Sequence, residues 1–291
     1  MRLLCALLVL PAFAAELRID HVTIAGEHLE AMRRAFAAET GVMPEYGGAH
    51  SNRATEMALV SFPDGSYLEL MGIQAKADPA AVAAHVWSRF LRNNAGPCAF
   101  AIRTPDVAAE IARLKSAGLP VGRAERSGRT RPDGVQLNWE TATVGPGARG
   151  SLFPFLIRDF TPRDNRVYPS GKATTDRFDG VAKVVVAVRD LPRATAQYRR
   201  AFGLPEPLLQ RDASFGATLA WFKDTPLVLA QGASADSWLT QRVRDYGEAP
   251  CAFILSVRAG MLGGEVSRWF GHGIFWAREQ ALGWCLGFQL P

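Results

Sequence analysis

One order of secondary structure recurs along the 291-residue chain, and this recurrence restricts the fold more than any other feature. Each unit begins with an apolar strand, continues with an amphipathic helix that ends at a glycine, and closes with further strands. The segments at 96–102 (GPCAFAI) and 249–255 (APCAFIL) resemble each other, and each follows a predicted connecting helix. Units of about 50–75 residues that recur in this way indicate duplicated supersecondary modules with shared cores.

The first half is predicted to contain two of these modules. Pro63-Asp64-Gly65 separates two apolar runs and is typical of a hairpin turn. The predicted elements are a strand over 17–25, a helix over 27–39, a short strand near 43–46, strands over 56–62 and 66–73, a connecting helix over 79–93, a strand over 97–102, a helix over 106–117, and strands at 121, 135–143 and 151–158.

The second half follows a polar segment, 159–177, that is broken by proline and glycine and is interpreted as a linker. Its modules are predicted as a strand over 181–188, a helix over 191–202, strands over 217–222 and 226–231, a helix over 237–246, and a shortened last module with strands over 251–257, 273–277 and 282–290. Two modules per domain predict two domains.

The N-terminus is predicted to be a secretory signal peptide. Met1-Arg2 precedes an apolar stretch over 3–13, and Ala12-Phe13-Ala14 has the small-x-small pattern of a cleavage site. A buried N-terminal helix is the alternative. The stretch is too short to span a bilayer of about 30 Å, so no stable membrane span is expected after cleavage. The predicted organisation is a signal peptide over 1–14, a first domain over 15–158, a linker over 159–177 and a second domain over 178–291, in a secreted and most simply periplasmic protein.

Composition excludes several classes of protein. Hydrophobic residues make up 48% and charged residues 21% of the chain, which is typical of a globular protein rather than a disordered one. The net charge of +5 is scattered, without the basic runs and interleaved aromatics of a nucleic-acid groove, so no nucleic-acid partner is expected. Cleavage would leave Cys98, Cys251 and Cys285, which the apolar runs predict to be buried and of which two could form a disulfide.

Two polar side chains are predicted on one face of the first sheet. Alternation along the first strand places His21 and Thr23 together, and alternation along the hairpin strand places Glu69 on the corresponding face. The opposite face carries Leu68 and Leu70 and should pack on helices. An imidazole and a carboxylate suit a divalent ion such as Zn, Mn, Fe or Ni, and they equally suit a hydrogen-bonded pair.

The first half resembles the glyoxalase-like domain family of the vicinal oxygen chelate (glyoxalase/bleomycin resistance/dioxygenase) superfamily. The resemblance covers about residues 19–160. It lies in the stretches 19–22 (IDHV), 48–50 (GAH), 66–70 (SYLEL), 131–139 (RPDGVQLNW) and 154–157 (PFLI), in this order. It implies an α+β fold of tandem βαβββ modules that form two cup-shaped mixed sheets with helices packed outside.

The resemblance also implies where a metal would bind, because metal-binding members of the superfamily use the first and last strands of each module. His21 and Glu69 match this pattern, but the matching positions of the second module, near Cys98–Ala99 and Phe155, offer no good ligand. His50 would complete a three-ligand site if its loop folds over the cup. The expectation is therefore either one divalent metal on His21, Glu69 and His50, or a metal-free polar pocket without a cofactor.

Other residues are candidates for contacts to a small-molecule ligand. Arg53, Arg129 and Arg131 could bind a carboxylate or phosphate, unless they are solvated loop residues. Trp139 and Phe155 should line the cup, unless they are ordinary core residues.

The second domain departs further from the resemblance. Lys183 stands where the first domain has His21, and the hairpin strand over 227–230 has no acid. The absence of a two-His, one-Glu set in this half argues against a ring-cleaving dioxygenase of the superfamily. His272, between Gly271 and Gly273, is interpreted as part of a surface turn.

Two functions remain open. The first is an enzyme of lyase or isomerase type that acts on a small oxygenated molecule, with His21 or Glu69 as general base or metal ligand. The second is a protein of bleomycin-resistance type that binds or sequesters a small molecule without turnover. The sequence does not predict an oligomeric state.

Overall fold

A computed structural model describes residues 17–258, 265–277 and 285–290, so the predicted signal peptide lies outside the described residues. The described chain forms two mixed sheets of eight strands each, with the same order of strands along each sheet. No helix in these ranges is long and apolar enough to cross a membrane. The α+β class and the tandem modules predicted from the sequence are confirmed.

The first sheet has the order β2-β3-β4-β1-β5-β8-β7-β6. Its central strand, β1, pairs in parallel with β4 and antiparallel with β5. The elements of this half are β1 (Ile19–Ala25), α1 (Leu29–Thr40), β2 (Glu45–Ala49), β3 (Thr55–Ser61), β4 (Tyr67–Ile73), α2 (Pro79–Ala84), α3 (Ser88–Arg92), β5 (Gly96–Arg103), α4 (Val107–Ser116), β6 (Glu125–Thr130), β7 (Gln136–Ala142) and β8 (Phe155–Asp159).

The second sheet repeats this arrangement in the order β10-β11-β12-β9-β13-β16-β15-β14. The elements after β8 are α5 (Arg163–Val167), β9 (Phe178–Ala187), α6 (Leu191–Phe202), β10 (Leu208–Asp212), β11 (Ala217–Trp221), β12 (Leu227–Gly232), α7 (Trp238–Tyr246), β13 (Ala249–Val257), β14 (Glu265–Trp269), β15 (His272–Trp276) and β16 (Cys285–Gln289). The central strand, β9, pairs with β12 and β13 as β1 pairs with β4 and β5.

The outer faces of the two sheets share one hydrophobic core with the helices. Leu68 and Leu70 belong to it, as the alternation predicts, together with residues of both halves. Tyr198 of α6 is fully buried there and donates its hydroxyl proton to the carbonyl oxygen of Leu152, which joins the second half to the first. Because the helices pack on the outer faces, the inner face of the first sheet is left for a ligand.

Several elements differ from the prediction, and the reasons are physical. Strands β6, β10 and β14 were not predicted. All three lie at sheet edges, and β6 and β10 have mostly exposed side chains that lack the apolar alternation of a buried strand. The predicted helix over 79–93 is two short helices, and the predicted strand over 151–158 begins only at Phe155. The segment interpreted as a linker contains α5, in which Arg166 and Val167 are buried.

Candidate functional site

The inner face of the first sheet holds a cavity with a solvent volume of about 140 Å³. Its polar lining comes from strands and loops of both modules and from α5. The lining residues are His21, His50, Tyr67, Glu69, Arg129, Thr141, Arg149 and Arg166, with Met57, Leu59, Met71, Trp87, Trp139, Phe155 and Ile157 as the apolar wall.

The register of two neighbouring strands brings the predicted residues together. In the parallel pair of β1 and β4, His21 lies beside Tyr67 and Thr23 beside Glu69. Since side chains alternate along both strands, these four point to the same inner face. His50, in the loop before β3, also lines the cavity, so its loop does lie over the cup.

Glu69 lies between the two imidazoles. Its Oε2 accepts a hydrogen bond of 2.9 Å from Thr23 Oγ1 and lies 4.0 Å from His21 Nε2. Its Oε1 lies 3.6 Å from His50 Nε2. Burial acts to raise the pKa of Glu69, but the interactions with His50, His21 and Thr23 outweigh it and lower the pKa to about 2. Glu69 is therefore an anion at neutral pH.

Contacts with Asp20, Tyr67 and Phe155 hold the His21 ring in one orientation. Its Nδ1 donates to Asp20 Oδ1 at 2.7 Å, its ring stacks on Tyr67 at 4.7 Å, and Phe155 meets it edge-on at 5.3 Å. Because Asp20 accepts the hydrogen bond from Nδ1–H, Nε2 is the nitrogen that faces Glu69 and the cavity. This is the arrangement in which an aspartate orients a histidine that acts as general base.

The orienting carboxylate belongs to a buried charged network. Arg166 of α5 donates to both oxygens of Asp20, at 3.1 and 3.0 Å, and to the Tyr67 hydroxyl at 2.6 Å. Arg166 also binds Asp159, and Arg163 donates to Asp20. Burial acts to raise the pKa of Asp20, but the charge of Arg166 and the bond from His21 hold it well below its usual range. Asp20 therefore remains a carboxylate and an acceptor for His21.

The donor set of the cavity does not fit a resident metal. The two oxygens of Glu69 face different imidazoles, and on β5 the residues opposite His21 and Thr23 are Ala101 and Ala99. In the described ranges, no group of three or more His, Cys, Asp or Glu side chains could hold a metal ion. The geometry thus gives no support to the predicted metal on His21, Glu69 and His50, and no chemical step is derived through one.

The residues predicted to contact a ligand separate into two groups. Trp139 and Phe155 line the cavity. Arg53 does not: its side chain is 76% exposed and pairs with Asp78 at 2.8 Å. Arg131 lies outside the lining too, because its guanidinium is bound to Asp133 and to backbone carbonyls of the segment after β8.

Two arginines line the cavity from the second module. Arg129 of β6 donates to the carbonyl oxygen of Gly47 at 2.9 Å and has no carboxylate within ion-pair distance among the described residues. Burial lowers the pKa of Arg129, and the nearby Tyr67 and Glu69 oppose this effect. Arg149 pairs with Glu125 at 3.1 Å. Arg129 is therefore a half-buried cation available to an anionic ligand.

Sequence reasoning missed Arg166, Arg149 and Trp87 as parts of this site. Arg166 lies in a polar segment with proline and glycine, which gives no periodic signal, and it reaches Asp20 across 146 residues of chain. Trp87 stands at the break between α2 and α3, where its Nε1 donates to the carbonyl oxygen of Arg149 at 3.2 Å. Only the folded chain brings these residues together.

The described part of the second cup carries a cluster of buried aromatic side chains. Phe215, Trp269 and Trp276 pack against one another there, and Trp221 packs against Phe270. The interpretation of His272 as a surface-turn residue is wrong, because it is the first residue of β15, is half-buried and meets Trp221 edge-on at 5.9 Å. The three described cysteines are buried free thiols.

Comparisons with known proteins agree with this architecture. A model of the glyoxalase-like domain matches residues 19–202. A hypothetical protein from Staphylococcus aureus is similar in structure, with a TM-score of 0.66 and 14% identity over 94% of this chain and 100% of that one. A variant of 4-hydroxymandelate synthase from Streptomyces coelicolor gives a TM-score of 0.59 with 12% identity over 94% of this chain and 92% of that one. No curated protein matches. These likenesses establish the fold, and the family match shows that the chain belongs to the glyoxalase-like domain family.

Proposed function

We propose that the cavity of the first sheet binds a small oxygenated anion and that His21 moves a proton on it. The observation that carries this proposal is the Asp20–His21 pair, in which the buried carboxylate fixes Nδ1 and leaves Nε2 facing the cavity. The reaction class is proton transfer at a carbon next to a carbonyl or carboxylate group, as in isomerases and lyases.

The size and charge of the cavity support the class of ligand. A solvent volume of about 140 Å³ holds about five waters at about 30 Å³ each, which suits a molecule of similarly few non-hydrogen atoms. Arg129 offers a charge-assisted hydrogen bond to a carboxylate or enolate oxygen. Trp87, Trp139 and Phe155 provide flat apolar walls against which a carbon skeleton can pack.

The neighbouring charges favour proton uptake by His21. As Nε2 takes a proton from the substrate carbon, the imidazolium that forms lies between Asp20 and the Glu69 anion, which stabilise its positive charge. Burial raises the pKa of Tyr67, so its phenol keeps its proton while it accepts from Arg166. Delivery of the proton from Nε2 to another atom on the same face of the substrate, either a carbon of the conjugated enolate or a leaving group, completes an isomerisation or an elimination.

Solvent exchange provides the test. Purified protein is incubated in D₂O with pyruvate, lactate, malate and related small acids, and loss of the C–H signal next to the carboxyl or carbonyl group is followed by proton NMR. We expect exchange on at least one acid and a loss of 10²-fold or more, on the order of a general base's contribution, in His21→Gln. His28→Gln is the matched control, because His28 is exposed and does not line the cavity. Equal exchange in wild type and His21→Gln would refute the proposal.

The aromatic walls favour a second function, binding without turnover. Trp87, Trp139 and Phe155 can hold a ligand irrespective of proton transfer. Two results together would identify a sequestering protein. An acid would bind saturably to wild type but not to Arg129→Gln, and the bound acid would undergo neither proton exchange nor product formation. This outcome separates the binding function from the enzyme.

We also propose that the protein is exported and works in the periplasm. The support is the N-terminal pattern of a basic start, an apolar stretch and a small-x-small site ending at Ala14. Expression of the full chain with its N-terminus, followed by cell fractionation and mass spectrometry, tests this. A mature protein that begins at Ala15 in the periplasm is expected, and an uncleaved chain that stays in the cytoplasm would contradict it.

A further inference from the structure

A second cleft lies where the two halves of the chain meet, apart from the cavity around His21. It is open and has a solvent volume of about 560 Å³. The first half contributes Ile19 and Arg103, and the second half contributes Lys183, Trp221 and Gln289. No residue of this lining belongs to the lining of the first cavity.

Lys183 is a buried cation in this cleft. It lies on β9, which corresponds to β1, and shares the inner face of the second cup with Val185 and Trp221. Its residue surface is only 4% exposed, and its Nζ lies over the Trp221 ring at 4.4 Å from the centroid. Within the described ranges Nζ has no hydrogen-bond acceptor and no carboxylate partner. Desolvation by burial lowers the pKa of Lys183 to about 8.

Two further polar atoms of the same cleft lack partners. Arg103 Nε and Gln289 Oε1 are buried and have no hydrogen-bond partner among the described residues. An unpaired buried donor or acceptor costs on the order of 1–3 kcal/mol, so such atoms mark a place where a ligand or ordered water belongs. Arg103 and Gln289 line the same cleft as Lys183, so two residues with unpartnered polar atoms and one buried ammonium lie around a single opening.

The cleft also contains carboxylates, which limit the charge it can accept. Asp64 Oδ1 is occupied by the backbone N–H and the hydroxyl of Ser66, and Asp224 is exposed at the rim. Neither lies within ion-pair distance of Lys183 among the contacts of the described chain. A ligand with one carboxylate is therefore a better match than a multiply charged anion.

We propose that this cleft is a second ligand site, which binds a small organic acid through Lys183 and Arg103. The carboxylate of the ligand accepts from these two donors, a hydroxyl or amide group of the ligand donates to Gln289 Oε1, and its carbon skeleton covers the Trp221 ring. A hydroxy acid has both groups on adjacent carbons and supplies the acceptors and the donor that the three atoms lack.

Calorimetric titration of the mature protein with L-lactate and glycolate, with acetate and inorganic phosphate as further probes, tests the proposal. We expect saturable binding of a hydroxy acid that weakens at least 10-fold in Lys183→Met and in Gln289→Leu. Lys223→Met is the matched control, because Lys223 is exposed in the adjacent hairpin turn and does not line the cleft; its affinity should match the wild type.

The outcomes are distinguishable from those of the first cavity. His21→Gln and Arg129→Gln should retain this binding, because neither residue lines the cleft. Any of three results would overturn the proposal. Neither hydroxy acid binds saturably, Lys183→Met binds the hydroxy acid as tightly as the wild type, or phosphate binds as tightly as lactate. If Lys183→Met does not fold, the Gln289→Leu variant decides alone.

Discussion

The ionised state of Glu69 makes its replacement by glutamine informative. Glutamine keeps the size of the side chain and an oxygen that can accept from Thr23 Oγ1, but it removes the charge between the imidazoles of His21 and His50. We therefore expect Glu69→Gln to destabilise the fold at neutral pH and to change the pH dependence of stability.

The magnitude follows from the pKa of Glu69. A folded-state pKa of about 2 against the ordinary 4.5 corresponds to about 3 kcal/mol, at about 1.4 kcal/mol per pH unit. That figure already includes the cost of burying the charge. Because glutamine retains the hydrogen bond from Thr23 and the Glu69 side chain is 13% exposed, we expect a net loss of about 1–3 kcal/mol. Because the folded pKa is depressed, this stabilisation is complete above pH 4.5 and disappears as the pH falls toward 2.

Urea unfolding of wild type and Glu69→Gln at a series of pH values measures this. The difference in the free energy of unfolding should be constant above about pH 5 and should shrink steadily below it. Glu56→Gln is the matched control on the neighbouring strand, where the carboxylate accepts only an exposed bond from Tyr46, and it should change stability by less than about 0.5 kcal/mol. A Glu69→Gln variant as stable as the wild type at pH 7, or a difference independent of pH, would refute the reasoning.

Three further predictions concern the buried charges and the metal. Asp20→Asn should reduce proton exchange by His21 at least tenfold while ligand affinity stays within about threefold, because asparagine no longer fixes the Nδ1–H tautomer; NMR of the imidazole nitrogens reports the tautomer directly. Mature protein purified without chelators should contain less than about 0.1 divalent metal ion per chain by mass spectrometry, and stoichiometric metal lost in His21→Ala would contradict the metal-free site. Without ligand, Lys183→Met should be more stable than the wild type at pH 7 by up to about 3 kcal/mol, because the depressed pKa of Lys183 makes its protonation unfavourable in the fold. This difference in stability should vanish as the pH rises from about 8 to 10.5. Equal melting temperatures at all pH values would contradict the prediction.

The sequence predicted those parts of the site that local rules determine. Alternation with a period of two placed His21 and Glu69 on one face, and the module order placed their strands side by side. The glycines that end α1 and α6 also marked helix boundaries within about two residues. Such features depend on residues close in sequence, so a single chain is enough to reveal them.

The remaining parts depend on contacts across long stretches of chain. Arg53 and Arg129 both looked like loop arginines, and only the fold shows that Arg129 enters the cavity while Arg53 pairs with Asp78 at the surface. Lys183 was recognised as the counterpart of His21, but neither its burial nor the partnerless Gln289 follows from any local pattern. Burial of a charge is a property of the assembled fold and leaves no periodic signal.

The placement of Arg166 changes how the predicted domain boundary is understood. A first domain that ends at residue 158 would contain His21 and Asp20 but would lack α5. Asp20 would then lose three hydrogen bonds, two from Arg166 and one from Arg163. Ser66 Oγ also accepts from the backbone N–H of Val181 on β9, so the hairpin that carries Glu69 is bound to the second half. The family match likewise continues past residue 158, to residue 202. The arginines that bind Asp20, which in turn orients His21, are therefore supplied by the segment between the two sheets, and the candidate site is complete only in a chain that includes it.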